Sequence, residues 1–360
     1  MTAAIVDLGA VAANLRTVAA AARTPLMAVV KADGFGHGAA PVARAAITAG
    51  ATWLGVTSAA EALSLRDAGL AAPILSWLHP LDEDFARLIA ARVDIGVSTV
   101  PHLHAVAAAG RRLGIRAQVQ LKADTGLSRN GAVADEWPEL VAWAHKHEQE
   151  QTLRVRGVWS HLADTDPVGD SATAVQVTAF EEALRAARAA GLRPTLTHLA
   201  SSSAALAAPG SRLDLCRIGL ALYGFGAPGL RPAMTLRSQV VNVKRVPAGA
   251  GVSYGPDHVT TRATTLALLP LGFADGLPRT AQGRAHVELA GRRRPIVGRI
   301  AMDQCVIDAG DLPVAIGDPV VVFGPGDQAT PTAADWARWA GTNPHEMLTG
   351  IGARVTRSYR

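Results

Sequence analysis

Lysine is scarce in this sequence, so each one can be questioned singly. Lys31, Lys122, Lys146 and Lys244 are the only four, and every other Lys/Arg-type residue is arginine. Lys31 closes the apolar run Leu26-Met27-Ala28-Val29-Val30 and opens Ala32-Asp33-Gly34-Phe35-Gly36-His37-Gly38. A lysine at the end of an apolar strand is costly unless it is used, because burial lowers its pKa and turns its amine into a nucleophile toward aldehydes. The glycines after it let backbone approach a ligand closely. The plainer alternative is a lysine snorkelling at a rim. Lys122 closes Gln118-Val119-Gln120-Leu121 in the same way, with Asp124 and Arg129 nearby, so position alone does not choose between the two. Lys146 reads as a solvated helix end, and Lys244, beside Arg245, as exposed.

Three further apolar runs end in polar residues: Val158-Trp159-Ser160-His161, Thr197-His198-Leu199-Ala200-Ser201-Ser202-Ser203, and Asp214-Leu215-Cys216-Arg217-Ile218-Gly219-Leu220. Ser202 suits either a helix N-cap or a phosphate. Arg217, among apolar neighbours, requires a buried acceptor. Gly219 permits close approach of backbone to a phosphate. Metal readings are weak: His102 and His104 are two apart and do not share a helix face, and no HExxH occurs. No GxGxxG phosphate loop follows the first apolar run. A lysine, a serine-glycine phosphate site and a buried arginine together suit pyridoxal phosphate with the lysine as its Schiff base.

The elements that must position these residues follow from hydrophobic patterning. Short β-type runs fall near 25–32, 51–57, 73–78, 93–98, 116–123, 154–161, 195–200 and 213–218, the first seven each followed by an alanine-rich stretch of helical spacing. Gly50, Gly69, Gly110 and Gly191 read as helix C-caps. Eight alternations predict an α/β fold with an N-terminal (β/α)8 TIM-type barrel, whose functional side chains belong at the C-terminal strand ends. Beyond about residue 230 the runs become β-branched and closely spaced: Ser238–Arg245, Thr264–Leu269, Arg284–Leu289, Pro295–Asp308 and Pro319–Phe323, with one helix near 332–339. This predicts a C-terminal mostly antiparallel β domain, giving domains of 1–230 and 231–360. Arg292-Arg293-Arg294 reads as a hairpin turn.

The chain has 360 residues, 49% hydrophobic and 18% charged, which excludes disorder as the main state. No apolar stretch is long enough for a membrane span. Met1–Asp7 lacks the basic segment of a signal peptide, and Cys216 and Cys305 are too few for a disulfide framework, so a cytoplasmic protein is expected. The net charge of +5 is spread along the chain and predicts no nucleic-acid partner.

With these residues in order, the chain resembles the alanine racemases along its length. The resemblance rests on Val29–Gly38, Lys122–Gly126 with Arg129, His161–Asp164, His198–Ser202, Arg217–Gly219, Val252–Gly255, Gly272–Gly276 and Gly298–Gln304. It implies pyridoxal 5'-phosphate held by Lys31, with Lys31 and Tyr254 as the two bases, and Tyr254 serving the other subunit of a homodimer. It further implies that Arg217 faces the pyridine nitrogen, that Arg129 lies near the cofactor's phenolic oxygen and the substrate carboxylate, and that Ser202, Gly219 and Leu220 hold the phosphate. His161 would support Tyr254 and Arg217, Met302 would line the substrate pocket, and Lys122 would be the lysine that is carbamylated in this family. The product would be D-alanine for peptidoglycan. Three residues depart from the pattern: Phe35 and Phe273 stand where tyrosines are usual, and Ser201 where asparagine is common. A non-catalytic pyridoxal-phosphate carrier and an amino-acid decarboxylase are the alternatives. The carrier lacks a second domain and needs no Tyr254, and the Val252–Gly255 motif fits the racemases.

Overall fold

The structure is a computed structural model that describes residues 2–163, 171–255 and 257–360. The chain opens with strand β1 (Ala3–Val6), and eight parallel strands follow: β2 (Leu26–Val29), β3 (Trp53–Val56), β4 (Ile74–Ser76), β5 (Val93–Val97), β6 (Ala117–Lys122), β7 (Leu153–Trp159), β8 (Leu196–His198) and β9 (Cys216–Ile218). Their order is β8-β7-β6-β5-β4-β3-β2-β9. The two edges are drawn together by Asp214 N–H to the Thr197 carbonyl (3.1 Å) and Arg217 N–H to the Ala200 carbonyl (3.0 Å), which makes a nearly closed barrel. All eight expected runs are strands. Several are buried along their whole length, as apolar parallel strands covered by helices must be.

The covering helices are set by local chemistry. Thr99 caps Val100–Leu113, and Gly114 ends it with φ 64°. Gly110 is therefore no C-cap. It lies inside that helix, where a Cβ would sit 2.3 Å from the Thr152 carbonyl oxygen, so glycine is needed for the helix to close on the next strand. Gly50, Gly69 and Gly191 do follow helices, all with positive φ.

The second sheet has nine strands and includes β1. Its other members are β10 (Met234–Gln239), β11 (Asn242–Val246), β14 (Thr264–Leu269), β15 (His286–Leu289), β16 (Arg292–Val297), β17 (Cys305–Gly310), β18 (Pro319–Phe323) and β19 (Thr356–Tyr359); the small pair β12 (Gly251–Val252) and β13 (His258–Val259) stands apart. Pairing is antiparallel except between β1 and β19. The expected run Ser238–Arg245 breaks at Val240-Val241 into two strands, and Pro295–Asp308 likewise divides between two. The hairpin turn is Ala290-Gly291, both at positive φ, and Arg292–Arg294 begin the strand after it. The expected helix is Ala333–Ala340, and a second, Pro344–Thr349, follows with Asn343 as its cap. No helix among the described residues is long and apolar enough to cross a membrane.

Candidate functional site

Strand β2 ends at Val29, and the chain after Lys31 makes a left-handed turn. Ala32, Asp33, Gly34 and Phe35 have φ of 52°, 50°, 61° and 53°. For the three non-glycine residues this conformation costs on the order of 1 kcal/mol each. Side chains hold it in place: Glu61 accepts from Ala32 N–H (2.6 Å) and Asp33 accepts from Ala39 N–H (2.8 Å). Glu61 also accepts from the Thr57 and Ser58 N–H groups at its own helix start, so one carboxylate fixes both the helix cap and the lysine turn. Arg357 adds a bond from its Nε–H to the Gly36 carbonyl (3.0 Å).

The turn aims Lys31 into a cavity of about 460 Å³ at the C-terminal ends of the strands. Lys122, Arg129, His161, Ser202, Arg217, Gly219 and Leu220 line the same cavity, together with Phe35, Trp77, Trp159 and His345. No carboxylate lines it among the described residues, while four cationic side chains do. Burial, then Arg129, pull the Lys31 pKa below its ordinary value, against Glu61. Burial, then Arg217 and Arg129, bring Lys122 down to about 8. Both lysines thus meet the electrostatic condition for a reactive amine. They differ in setting: Lys122 rests its Nζ over the Trp159 ring (4.7 Å), on the same aromatic plate as Arg217 (5.1 Å). Another groove, of about 640 Å³, near Arg16 and Arg44, is lined by four alanines among ten residues and has no comparable convergence of polar groups.

Arg217 is buried and has no carboxylate partner among the described residues. Its Nη1 donates to His198 Nδ1 (2.9 Å) and the His198 carbonyl (3.1 Å). Its Nη2 faces His161 Nδ1 (3.1 Å) and the carbonyls of Ser160 (2.7 Å) and Leu199 (2.9 Å). Nε–H makes no hydrogen bond among the described residues. Burial lowers the guanidinium to about 9, still cationic at neutral pH. Burial, then Arg217, drive His161 down to about 3, so His161 is a neutral acceptor. Any support His161 gives is therefore that of a neutral ring, and the positive charge beside it is that of Arg217.

Ser202 does not cap its own helix. Its Oγ accepts from the N–H groups of Gly219 (3.1 Å) and Ala221 (3.3 Å), so two backbone donors converge on one oxygen at this rim. At Gly219 a Cβ would come 3.2 Å from Phe35 Cζ, inside this cradle. Phe35 stacks on Tyr223 (ring centres 4.6 Å) and lies 5.5 Å from His345. Sequence reasoning missed His345; Asn343-Pro344, a cap and first-turn signature, was the available signal for the helix that carries it.

Tyr254 and Met302 lie elsewhere. Both stand on the surface of the second domain, 69% and 56% exposed, with Phe273 at 40%. Their loops are fastened to each other: Ser253 Oγ donates to the Arg299 carbonyl (2.8 Å), and Ala274 N–H to the Met302 carbonyl (3.0 Å). Asp164, in the third motif, lies outside the described residues.

Residues 6–227 match the family described as Alanine racemase, N-terminal domain, and residues 233–359 match Alanine racemase, C-terminal domain. The chain belongs to the alanine racemase family. It is 50% identical to the alanine racemase of Frankia casuarinae over 99% of this chain and 95% of that one. It is 46% identical to that of Mycobacterium leprae, over 99% and 94%. Among solved structures, alanine racemase from the D-cycloserine producer Streptomyces lavendulae superposes with a TM-score of 0.98 at 47% identity, covering 100% of this chain and 97% of that one. The Bacillus anthracis enzyme with bound L-Ala-P gives 0.90 at 32%, covering 100% and 95%. As an alanine racemase the chain is an isomerase that interconverts the enantiomers of alanine, on a TIM-like barrel joined to a mostly antiparallel sheet.

Proposed function

We propose that this alanine racemase works with pyridoxal 5'-phosphate bound through Lys31, uses two bases, and is a homodimer whose sites are shared between subunits. The observation that carries the reading is the cavity itself: four cationic side chains line it and, among the described residues, no carboxylate does, which suits an anionic guest bearing a phosphate. Lys31 would hold the cofactor covalently. Ser202, Gly219 and Leu220 would hold its phosphate, and the free Nε–H of Arg217 would face its ring nitrogen. When bound, that group supplies an electron sink for charge developing at the substrate Cα.

The chain's own residues do the rest. Lys31 Nζ, its pKa depressed, takes or returns the Cα proton on one face. The other face needs a second acid/base. Tyr254 fits that role but lies outside its own chain's cavity, so the proton would be moved by Tyr254 of the partner subunit, with Met302 of the partner subunit lining the substrate pocket. His161 accepts at Nδ1 from Arg217, which puts its proton on Nε2, a donor suited to a tyrosine oxygen. Arg129, exposed at the cavity rim, would take the substrate carboxylate bidentately. A carbamylated Lys122 would add an anion beside it and relieve the crowd of cations. The reading includes a cytoplasmic location and D-alanine supply for peptidoglycan, on the strength of the family alone.

The test is proton NMR of the purified protein with pyridoxal phosphate and L-amino acids in heavy water. The alanine α-proton signal is expected to vanish first as D-alanine appears, and Tyr254→Phe is expected to abolish D-alanine formation. Cofactor binding without exchange of any α-proton would leave a carrier in place of an enzyme.

A further inference from the structure

Arg217 is a cation held inside the barrel with no carboxylate beside it among the described residues. What holds it runs through the barrel interior. His198 Nδ1 accepts from Arg217 (2.9 Å), and on its other side His198 Nε2 lies 2.7 Å from Gln120 Oε1. The Gln120 amide donates from Nε2 to Asp94 Oδ2 (2.8 Å), and Asp94 Oδ1 accepts from Arg156 Nη1 (3.0 Å). Asp94, Gln120 and His198 are each 1% exposed or less. Trp159 stacks flat on His198, 5.4 Å between ring centres. The path crosses from the half-exposed Arg156 to the cavity at Arg217, through strands β5, β6, β8 and β9.

Only one proton arrangement satisfies every member. Both Asp94 oxygens face donors, so Asp94 is the carboxylate and accepts twice. The Gln120 atom facing it must be nitrogen, which turns Oε1 toward His198. His198 must then carry its proton on Nε2 and offer the bare Nδ1 to Arg217. An imidazolium would point an N–H at a guanidinium, and the other tautomer would leave two clashing donors and two facing acceptors. The carboxylate that Arg217 lacks at its side is thus supplied at a distance, as hydrogen-bond direction. Two Nη groups pinned in this way fix the guanidinium plane and leave Nε–H for the cavity.

We propose that Asp94, Gln120 and His198 are positioning residues for racemisation: a one-directional hydrogen-bond relay across the barrel that fixes the His198 tautomer and, through it, the plane and donor direction of Arg217. The proposal rests on the reading of Arg217 as the group that faces the cofactor ring.

It is tested on the holoenzyme labelled with ¹⁵N-histidine. The parent protein is expected to show His198 neutral, protonated on Nε2 alone, throughout the neutral pH range; an imidazolium or an Nδ1–H tautomer overturns the relay without any variant being made. Gln120→Met keeps the length of the side chain and removes its hydrogen bonds. It is expected to lose the single tautomer and to lower kcat by about tenfold, the scale of a lost hydrogen bond to a charged group, with KM for alanine held within about twofold. Asp94→Asn, which keeps the shape, is expected to shift the same resonance and to lower kcat less. A Gln120→Met protein with the parental tautomer and parental kcat overturns the proposal. The parent's alanine exchange keeps the two readings apart: failure to racemise strikes the functional reading, whereas a wrong tautomer with racemisation intact strikes the relay alone.

Discussion

The barrel mouth and the exposed face of the second domain carry chemistry in opposite ways. At the mouth, side chains from separate strands meet in one cavity, and their pKa values are bent by burial and by one another. On the second domain, Tyr254, Phe273 and Met302 stand in solvent on loops locked together by Ser253, Arg299 and the 301–302 backbone. A further clamp joins Arg299 to Asp257 (Nε to Oδ2, 2.5 Å). Rigid loops presenting large apolar side chains are built for a surface, not for solvent. One region gathers its polar side chains within a single chain; the other, on the proposed reading, would lend Tyr254 and Met302 to the cavity of the partner subunit.

The sharpest way to break that contrast is to separate the two bases. Lys31→Ala and Tyr254→Phe are each expected to lower racemisation by roughly 10²–10⁴-fold. Mixed and allowed to exchange subunits, they are expected to recover about a quarter of parental activity, since half the dimers are mixed and each has one intact site. No recovery would mean that Tyr254 serves its own chain or none. At the mouth, Phe35→Tyr restores a hydroxyl beside the phosphate cradle and is expected to tighten cofactor binding about fivefold, read by equilibrium dialysis; an unchanged affinity would place Phe35 outside phosphate binding. Lys122, with a pKa near 8, offers more neutral amine as pH rises. A ¹³C-bicarbonate carbamate signal should therefore grow from pH 6.5 to 8.5 and vanish in Lys122→Arg.

The smallest effect concerns stability. Burial holds His161 near 3 and His37 near 4, below the ordinary 6.5. Both are neutral in the fold, so the unfolded chain binds more protons once the pH drops below about 6.5. Their contribution is full above that value and is lost as pH falls toward the folded values, by at most about 1.4 kcal/mol per pH unit for each proton. Urea midpoints measured between pH 7 and 5 should fall accordingly, and His37→Gln should flatten the slope.

The barrel was legible because its signals are local. The strands are apolar runs, and four of them carry at or near their ends polar residues that line the cavity: Lys31, Lys122, His161 and Arg217. What stayed hidden depends on partners far along the chain. Ala3–Val6 has the pattern of a strand, but its neighbours are Met234–Gln239 and Thr356–Tyr359, and no short window holds that fact. Ser202 sits where a cap belongs, yet its hydroxyl is engaged by Gly219 and Ala221. His345 reaches the cavity only because its helix packs on the Lys31 turn. Asp94 and Gln120 were readable in part, as polar residues inside apolar strands, but their connection through His198 is a property of the closed barrel.

The last strand has a consequence for timing. The turn that aims Lys31 takes its final supports from the far end of the sequence: the Arg357 Nε–H on the Gly36 carbonyl, the Leu348 carbonyl filling the space over Gly36, and the Tyr359 hydroxyl over Gly38. Residues 356–359 also close the open side of Ala3–Val6. A growing chain can lay down every barrel strand and still lack the brace that holds its lysine in a left-handed turn. The left-handed turn thus leans on residues that come after every barrel strand in the chain, and a barrel cut before them keeps Lys31 but loses these three supports.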